Sequence, residues 1–264
     1  MMKKNSLLSN KIHAGVLFVL FNIVFHQCFS QTLPSIQLDR PDQTECPYIT
    51  PKNYIQVESG LTIENDIGSR QTISHPTSLW KYGINDKFEL RLITEWVTQK
   101  IDGNNTIGLQ PITIGFKTTL FEQQGILPKT SFIGHVTSSR LGSAIYHTPY
   151  IAPSFRFTMQ HLISDKFSIS YNLGAEWDGR NTNATYIYTF TGGLGLTEKL
   201  GFYAELYGFL PEKQIPDHRF DGGFTYLLHQ DMMIDLSAGA RFFQDIQTHY
   251  VSFGFSFRFN TRRR

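Results

Sequence analysis

The hydrophobic and polar positions of this chain alternate with a period of two in its last long segment. From Val251 to Phe259 every odd position is apolar, and the even positions are small or cationic. Successive side chains of a β-strand point to opposite faces, so the alternation predicts a strand with one apolar and one polar face. Four phenylalanines opposite serine, glycine and arginine are typical of a membrane barrel, which has lipid outside and water inside.

Similar alternating segments recur along the chain between groups of turn residues. We predict about twelve strands, which cover residues 54–64, 76–82, 88–97, 112–121, 129–138, 150–161, 167–177, 184–196, 202–210, 219–228, 233–243 and 251–259. Short connections at 84–87, 122–128, 162–166, 197–200 and 229–231 alternate with mostly longer ones near 102–105, 139–148, 178–183, 211–218 and 244–249. This arrangement predicts an all-β, transmembrane antiparallel β-barrel with short periplasmic turns and longer extracellular loops. Trp96 and Trp177 then fall at the outer ends of strands, where an aromatic girdle is expected.

The N-terminus predicts export. Residues 1–30 carry three lysines and no acid, then the apolar run Ala14–Phe25, then small residues near Ser30, as in a secretory signal peptide. The apolar run is shorter than the about 20 residues of a membrane-spanning helix. An alternative is a lipoprotein acylated at Cys28. Cleavage near Ser30 leaves Cys46 as the remaining cysteine, so we expect no intramolecular disulfide. The predicted mature chain has an N-terminal arm (31–52), a barrel (53–260) and a basic tail (261–264).

Composition fits an alternating barrel and excludes a nucleic-acid partner. The chain is 41% hydrophobic, with 24 Lys and Arg against 22 Asp and Glu, and its mean hydropathy is −0.22. Loss of three lysines with the signal peptide gives the mature chain a formal charge of −1. A secreted β-sandwich or a lipocalin-like barrel also alternates, but such barrels have about eight strands and an apolar interior. The charges on the polar faces here argue against them.

Charged residues recur on the predicted inner faces of different strands. They are Glu58, Glu64, Glu89, Arg91, Glu95, Lys117, Arg156, Glu176, Glu205, Asp235, Arg241 and Arg258. One interpretation is that these residues pair across strands and stiffen a narrow lumen. The other is that they line a solute path and set its selectivity.

Several stretches of the chain carry a family resemblance. They include Asp39–Glu45 (DRPDQTE), Pro51-Lys52, Val57–Gly60, Gly125–Pro128 and Glu176–Gly179, with further matches at Tyr82-Gly83, Glu89–Arg91, Tyr171–Gly174 and Met233–Gly239. In these residues the chain resembles the Bacteroidetes members of the outer-membrane transporter family also labelled MetA-pathway of phenol degradation. The resemblance covers most of the mature chain. It implies a β-barrel in the bacterial outer membrane, with an undefined substrate and no defined catalytic residues.

The N-terminal arm is dense in charge, and we expect it to be irregular and periplasmic. Asp39, Arg40, Asp42 and Glu45 are its candidate functional residues. One interpretation is a solvated linker. The other is a plug that folds into or under the lumen, with Arg40 pairing an interior carboxylate such as Glu89.

Closure of the barrel gives a further expectation. The first and last strands must pair if the sheet has no edge. This pairing places Glu58 and Glu64 on the same wall as Arg258 and predicts an ion pair between them.

Enzyme and metal chemistry have weaker signals. His135 and Ser138 come close to the His-x-Ser pair of lipid hydrolase barrels, but alternation places Thr137 on the histidine's face instead. Four histidines lie near predicted loops without the spacing of a metal site, namely His75, His147, His218 and His249. We therefore predict neither an enzyme nor a cofactor.

The sequence thus favours an outer-membrane channel for passive passage of small solutes, including hydrophobic ones. A structural or surface-interaction barrel is the alternative, and a lipid hydrolase barrel is less favoured. The expected partners are outer-membrane lipid, an unidentified small solute and, during biogenesis, the barrel-assembly machinery and periplasmic chaperones.

Overall fold

The computed structural model describes residues 33–66, 70–242 and 248–262. The predicted signal peptide, with Cys28, and the last two residues of the basic tail lie outside these ranges. Residues from Ser35 onward belong to one compact unit.

The described part of this unit contains thirteen β-strands. They are β1 (Tyr54–Asp66), β2 (Arg70–Asn85), β3 (Phe88–Ile101), β4 (Asn104–Leu109), β5 (Thr113–Phe121), β6 (Lys129–Thr137), β7 (Ala152–Leu162), β8 (Phe167–Glu176), β9 (Thr185–Gly195), β10 (Leu200–Pro211), β11 (Asp217–His229), β12 (Met232–Arg241) and β13 (His249–Asn260). One turn of 3-10 helix, Ala144–Tyr146, lies between β6 and β7. No helix in the described ranges is long and apolar enough to cross a membrane.

The strands form a closed antiparallel barrel. Each strand from β5 onward pairs with the next, and β1 pairs with both β2 and β13. The expected closure between the first and last strands is confirmed, with Gly60 opposite Gly254. Strand β3 pairs with β5 along its first half and with β4 along its second half. Because β4 and β5 together occupy one position in the wall, the thirteen strands form a twelve-strand barrel.

Strand β4 lies where the sequence predicts a loop. Asp102 and Gly103 both have positive φ angles, of 47° and 82°, which is the backbone of a tight hairpin turn. The turn extends β3 to Ile101 and folds β4 back onto it. The polar Asn104-Asn105-Thr106 run obscures this strand in the hydrophobic pattern.

The two faces of the wall differ as the alternation predicts. In β13, Val251 and Phe253 are exposed on the outer surface, whereas Ser252, Ser256 and Arg258 are buried. Large apolar side chains cover the outside on most other strands as well. A lipocalin-like protein would have the opposite distribution, so the membrane-barrel prediction is confirmed.

The connections alternate in length around the barrel. Short turns join β2 to β3, β7 to β8, β9 to β10 and β11 to β12, and we call this end the turn end. Both ends of the barrel chain lie there, because Thr261 N donates to Asn53 O. The opposite, loop end carries the longer connections, including residues 138–151 between β6 and β7. Trp96 is exposed on the outer surface near the loop end, while Trp177 is half-buried.

Candidate functional site

The N-terminal arm lies inside the barrel. Hydrogen bonds join residues 36–50 of the arm to strands all around the wall, namely β1, β2, β3, β5, β6, β7, β8, β9, β10, β12 and β13. A segment bonded to opposite walls of a closed barrel must occupy its lumen. Asp39, Thr44 and Thr50 of the arm are buried. The solvated-linker interpretation does not describe this placement.

Asp39 is the centre of a buried ion cluster on one side of the lumen. Its carboxylate lies 2.7 Å from Lys117 Nζ, 3.0 Å from Lys81 Nζ and 3.3 Å from Arg91 Nη2. It also accepts a hydrogen bond from the backbone N–H of Cys46 at 3.0 Å. Burial by itself raises the pKa of Asp39, but Lys117, Lys81 and Arg91 together lower that pKa well below its ordinary value. The arm is therefore anchored by a charge that requires all three partners.

Three more carboxylates complete this cluster. Glu58 lies 2.5 Å from Lys81 and also accepts the backbone N–H groups of Asp39 and Arg40 at 2.9 and 3.1 Å. Glu45 of the arm lies 2.5 Å from Arg91. Glu89 accepts the backbone N–H of Thr50 at 2.7 Å. The same carboxylate is 3.7 Å from Arg91 and 4.0 Å from Lys117. Four acids thus meet cations from β2, β3 and β5 at close range.

Arg156 extends the cluster along the arm. Its guanidinium donates to Gln43 O at 3.0 Å and lies 3.9 Å from the Glu45 carboxylate. Cys46 lies within the same region, and burial raises the pKa of its thiol to about 12. The thiol is therefore neutral at physiological pH.

Arg40 attaches the arm to β12 and β13, which follow β1 around the wall from the Asp39 cluster. Its guanidinium lies 3.1 Å from Asp235 on β12 and donates to Ser252 on β13 at 2.9 Å. A Cβ atom at Gly60 would overlap this guanidinium. Gly60 is therefore required for the close approach of Arg40 to the wall.

Strands β10 and β11 each present one acid to the lumen beside the arm. Glu205 and Asp221 are directly opposite each other in the strand register. Glu205 accepts hydrogen bonds from Gln43 N at 2.7 Å and from the Thr44 hydroxyl, and Asp221 accepts one from the Tyr250 hydroxyl. Among the described residues no Lys, Arg or His nitrogen lies within 4.0 Å of either carboxylate.

Asp42 of the arm faces this acidic wall. Burial raises the pKa of Asp42 well above its ordinary value, and the neighbouring carboxylates of Glu205 and Asp221 raise it further. The two sides of the arm therefore differ in charge balance. The side of Asp39 pairs its acids with cations, and the side of Asp42 groups three carboxyl groups with no cation among the described residues within 4.0 Å of Glu205 or Asp221.

A separate ion network lies toward the loop end. Asp217 accepts hydrogen bonds from Arg241 at 2.8 Å and from Arg219 at 3.0 Å. Arg219 also lies 3.0 Å from Glu64. This network joins β1, β11 and β12 above the arm and is balanced in charge.

The remaining predicted lumen residues are spread along the wall. Glu95 accepts hydrogen bonds from two hydroxyl groups of β2. Glu176 is half-buried at the loop end of β8. Arg258 lies 2.6 Å from Asp231 at the turn end and covers the ring of Tyr54. The structure therefore brings together the predicted residues around Asp39 and leaves these three apart from them.

Two predicted ion pairs are wrong. Arg40 pairs with an interior carboxylate, as expected, but this carboxylate is Asp235 on β12 rather than Glu89 on β3, because the arm brings Arg40 toward β12 and β13. Arg258 is opposite Gln56, so Glu64 lies eight residues farther along the strand, roughly 26 Å away at about 3.3 Å per residue. Glu58 is nearer to Arg258, but Lys81 and the arm bind its carboxylate instead.

The hydrolase and metal motifs do not form chemical sites in the described residues. The Thr137 hydroxyl bonds Thr113 at 2.7 Å, and the Ser138 hydroxyl accepts the N–H groups of Arg140 and Leu141. Neither hydroxyl bonds His135. Each of the loop histidines has its own separate hydrogen-bond partner. No group of three metal ligands is present in the described ranges.

Two cavities flank the arm. The first, of about 420 Å³, opens at the turn end and is lined by Gln160, Lys166, Tyr203 and Thr225. The second, of about 380 Å³, lies toward the loop end and is lined by Thr62, Glu64, Phe209 and Tyr250. Arg40, Pro41 and Asp42 line both cavities. This three-residue turn of the arm therefore separates them.

The sequence analysis missed several residues of this site. Lys81 and Asp221 are absent from the predicted set, although both follow an outward aromatic residue, Trp80 and Phe220, and so have inward parity. Thr44 was likewise not a candidate. Its role depends on contacts with Thr189 and Glu205, which no local pattern records.

Several solved structures of outer-membrane proteins resemble this barrel. An outer membrane channel from Pseudomonas putida F1 superposes with a TM-score of 0.62 at 10% identity, over 84% of this chain and 100% of that chain. The KdgM porin solved with disordered oligogalacturonate gives 0.53 at 8% identity, over 77% and 99%. The NanC porin gives 0.53 at 7% identity, over 77% and 98%. These likenesses show the fold of a bacterial outer-membrane barrel.

No curated protein matches the sequence. A family model does match it, from residue 38 to residue 259, without assigning a bacterial group. That range includes the arm from Leu38 onward and nearly the whole barrel. The chain belongs to the family described as "Putative MetA-pathway of phenol degradation".

Proposed function

We propose that this protein is an outer-membrane channel for the passive passage of small solutes, and that its N-terminal arm closes or narrows the lumen. The observation that carries the proposal is the pair of cavities on either side of the Arg40–Asp42 turn. Each is within the size range of small-molecule sites, about 300–1,000 Å³. A barrel whose wall served only as a structural element would need no such space beside the arm.

The size of the barrel supports this proposal. Barrels of about eight strands are filled by side chains, while those of sixteen or more leave an aqueous channel. A twelve-strand barrel lies between these classes in diameter. Here the N-terminal arm fills part of the lumen that side chains of the wall leave open. The similar solved structures include an outer membrane channel and two porins.

The lining of the cavities suits solutes of mixed polarity. Tyr203, Phe209 and Tyr250 supply aromatic surface, and Gln160, Thr62 and Thr225 supply hydrogen-bonding groups. Small hydrophobic solutes with a polar group are therefore included in the proposed substrate class. Outer-membrane lipid surrounds the barrel in this account, and the barrel-assembly machinery inserts it.

The alternatives have less support. A surface-interaction barrel would act through the loops, and no feature of the described loops points to a partner. A lipid hydrolase needs a nucleophile bonded to its base, and no hydroxyl group among the described residues bonds His135 Nε2. We therefore propose that the protein is not an enzyme.

Single-channel recording of the purified mature chain in planar bilayers tests the proposal. The expected result is stepwise conductance, together with more frequent or larger openings for Asp39→Asn, because this change weakens the anchor of the arm. Glu198→Gln, at an exposed position in the turn between β9 and β10, is the charge-matched control and should behave like the unmodified protein. Silent membranes for a correctly folded chain, with no openings for Asp39→Asn, would contradict the channel proposal.

A further inference from the structure

The arm is attached unequally to the two sides of the lumen. On the side of β2, β3 and β5, Lys81, Arg91 and Lys117 bind carboxylates of both the arm and the wall. On the other side, Arg40 forms an ion pair with Asp235, and residues 43–45 are held by hydrogen bonds to β8, β9 and β10. We expect the ion cluster on the side of β2, β3 and β5 to stay intact, because breaking it would leave buried charges without partners.

Both cavities lie on the side where hydrogen bonds, rather than a cluster of ion pairs, hold the arm. Strands β10 and β11 line the first cavity through Tyr203 and Thr225, and they line the second through Phe209 and Arg219. One stretch of wall therefore runs from the turn end to the loop end past the Arg40–Asp42 turn. The obstruction between the two cavities is this turn.

The wall at the obstruction carries uncompensated acid. Glu205 and Asp221 are register partners there, and Asp42 faces them from the arm. A second observation concerns the hydrogen bonding of Asp221. Asp221 is 4% exposed, and its Oδ1 atom has no hydrogen-bond partner among the described residues. Buried carboxylate oxygens are normally hydrogen-bonded or paired, so a displacement of the adjacent Arg40–Asp42 turn would expose an acceptor that has spare hydrogen-bonding capacity.

We propose that solutes cross the barrel along the β10–β11 wall, and that Asp42, Glu205 and Asp221 make this passage favour cationic and neutral solutes over anions. The proposal deepens the channel function and rests on it. A displacement of residues 40–43 would join the two cavities while the Asp39 cluster keeps the arm in the lumen. When these carboxyl groups ionise in the opened, hydrated path, they attract cations and repel anions at its narrowest point.

Reversal potentials in a potassium chloride gradient test the selectivity. The reversal potential of the unmodified chain should have the sign of a cation-selective channel. Asp42→Asn and the double variant Glu205→Gln/Asp221→Asn should each shift it toward zero, and Glu198→Gln should not. Asp42→Asn changes only the arm, so it remains informative if the double variant fails to fold, which heat-modifiable gel migration would reveal.

Thiol modification tests the route independently. In a Cys46→Ser background, a cysteine at Thr225 lines the first cavity, whereas one at Thr158 lies on the fully covered wall of β7. A cationic methanethiosulfonate reagent should reduce the conductance of Thr225→Cys and leave that of Thr158→Cys unchanged. It should also react faster at Thr225→Cys than an anionic reagent does.

The outcomes separate the two proposals. Absence of conductance in every variant would overturn the channel function and the route with it. A conducting protein that prefers anions, or whose preference is unchanged in Asp42→Asn, would overturn the proposed selectivity alone. Block at Thr158→Cys without block at Thr225→Cys would overturn the route.

Discussion

The ammonium group of Lys117 on β5 lies 2.7 Å from the carboxylate of Asp39 in the N-terminal arm. Both side chains are almost completely buried, with side-chain exposures of 0% and 2%. The pair therefore joins a segment that precedes the first strand to the middle of the barrel wall. Because a buried charge without its partner is costly, the arm and the wall stabilise each other.

Removal of the Asp39 charge should destabilise the folded barrel. Asp39→Ala leaves Lys81, Arg91 and Lys117 with one anion fewer, and breaking a buried pair costs about 3–5 kcal/mol. The midpoint of urea unfolding in detergent should fall accordingly. Glu122→Ala is the matched control, because the Lys129–Glu122 pair has a largely exposed carboxylate and such pairs contribute only about 0–1 kcal/mol. Equal destabilisation by the two changes would contradict the buried cluster.

Opening should become more frequent as the pH rises. The pKa of Asp42 is raised in the closed barrel, first by burial and then by Glu205 and Asp221. The closed state therefore holds the proton more tightly than a state with Asp42 in water, whose pKa is about 3.9. The stabilisation that protonated Asp42 gives the closed state is complete below the pKa of the solvated carboxyl group. It is lost as the pH rises through the raised pKa of the closed state.

Single-channel recording at a series of pH values upward from about 4, the ordinary pKa of a carboxyl group in water, tests this dependence. Asp42→Asn should abolish the pH-dependent part of the open probability, while Asp86→Asn, at an exposed turn position, should retain it. An open probability that falls as the pH rises would contradict a closed state stabilised by protonated Asp42.

Gly60 should be needed for a closed lumen. In Gly60→Ala the new methyl group overlaps the Arg40 guanidinium, so the Arg40–Asp235 pair must break. We expect larger conductance and faster proteolysis of the arm, with the barrel itself intact. Gly192→Ala is the control, because the nearest atom to its added methyl group lies at 3.8 Å. Identical conductance of the two variants would argue against Arg40 as an attachment of the arm.

The strands were predictable because alternation is a local property. The outward residues of β13 and its closure onto β1 follow from a pattern in which each residue specifies its own face. Strand β4 was missed because its pairing depends on the Asp102-Gly103 turn rather than on hydrophobic residues.

The contacts of the site were less predictable than the strands. Inward parity places Glu58, Glu89, Arg91 and Lys117 on the lumen side, but it does not identify their partners. Those partners come from the N-terminal arm. Its backbone is irregular, so no periodic pattern in the sequence predicts where its side chains lie. The predicted Arg40–Glu89 and Glu58–Arg258 pairs were wrong for this reason, since both assumed pairing without the position of the arm.

A reversible cross-link between the arm and the wall tests the central claim most directly. Thr44 of the arm and Thr189 of β9 are in hydrogen-bond contact through their hydroxyl groups, so cysteines at both positions in a Cys46→Ser background should form a disulfide. We predict that the oxidised protein is silent or nearly so in planar bilayers, and that addition of a reductant restores the openings of the single-cysteine variants. Equal conductance before and after reduction, with the cross-link verified by mass spectrometry, would contradict the claim that movement of the arm opens the channel.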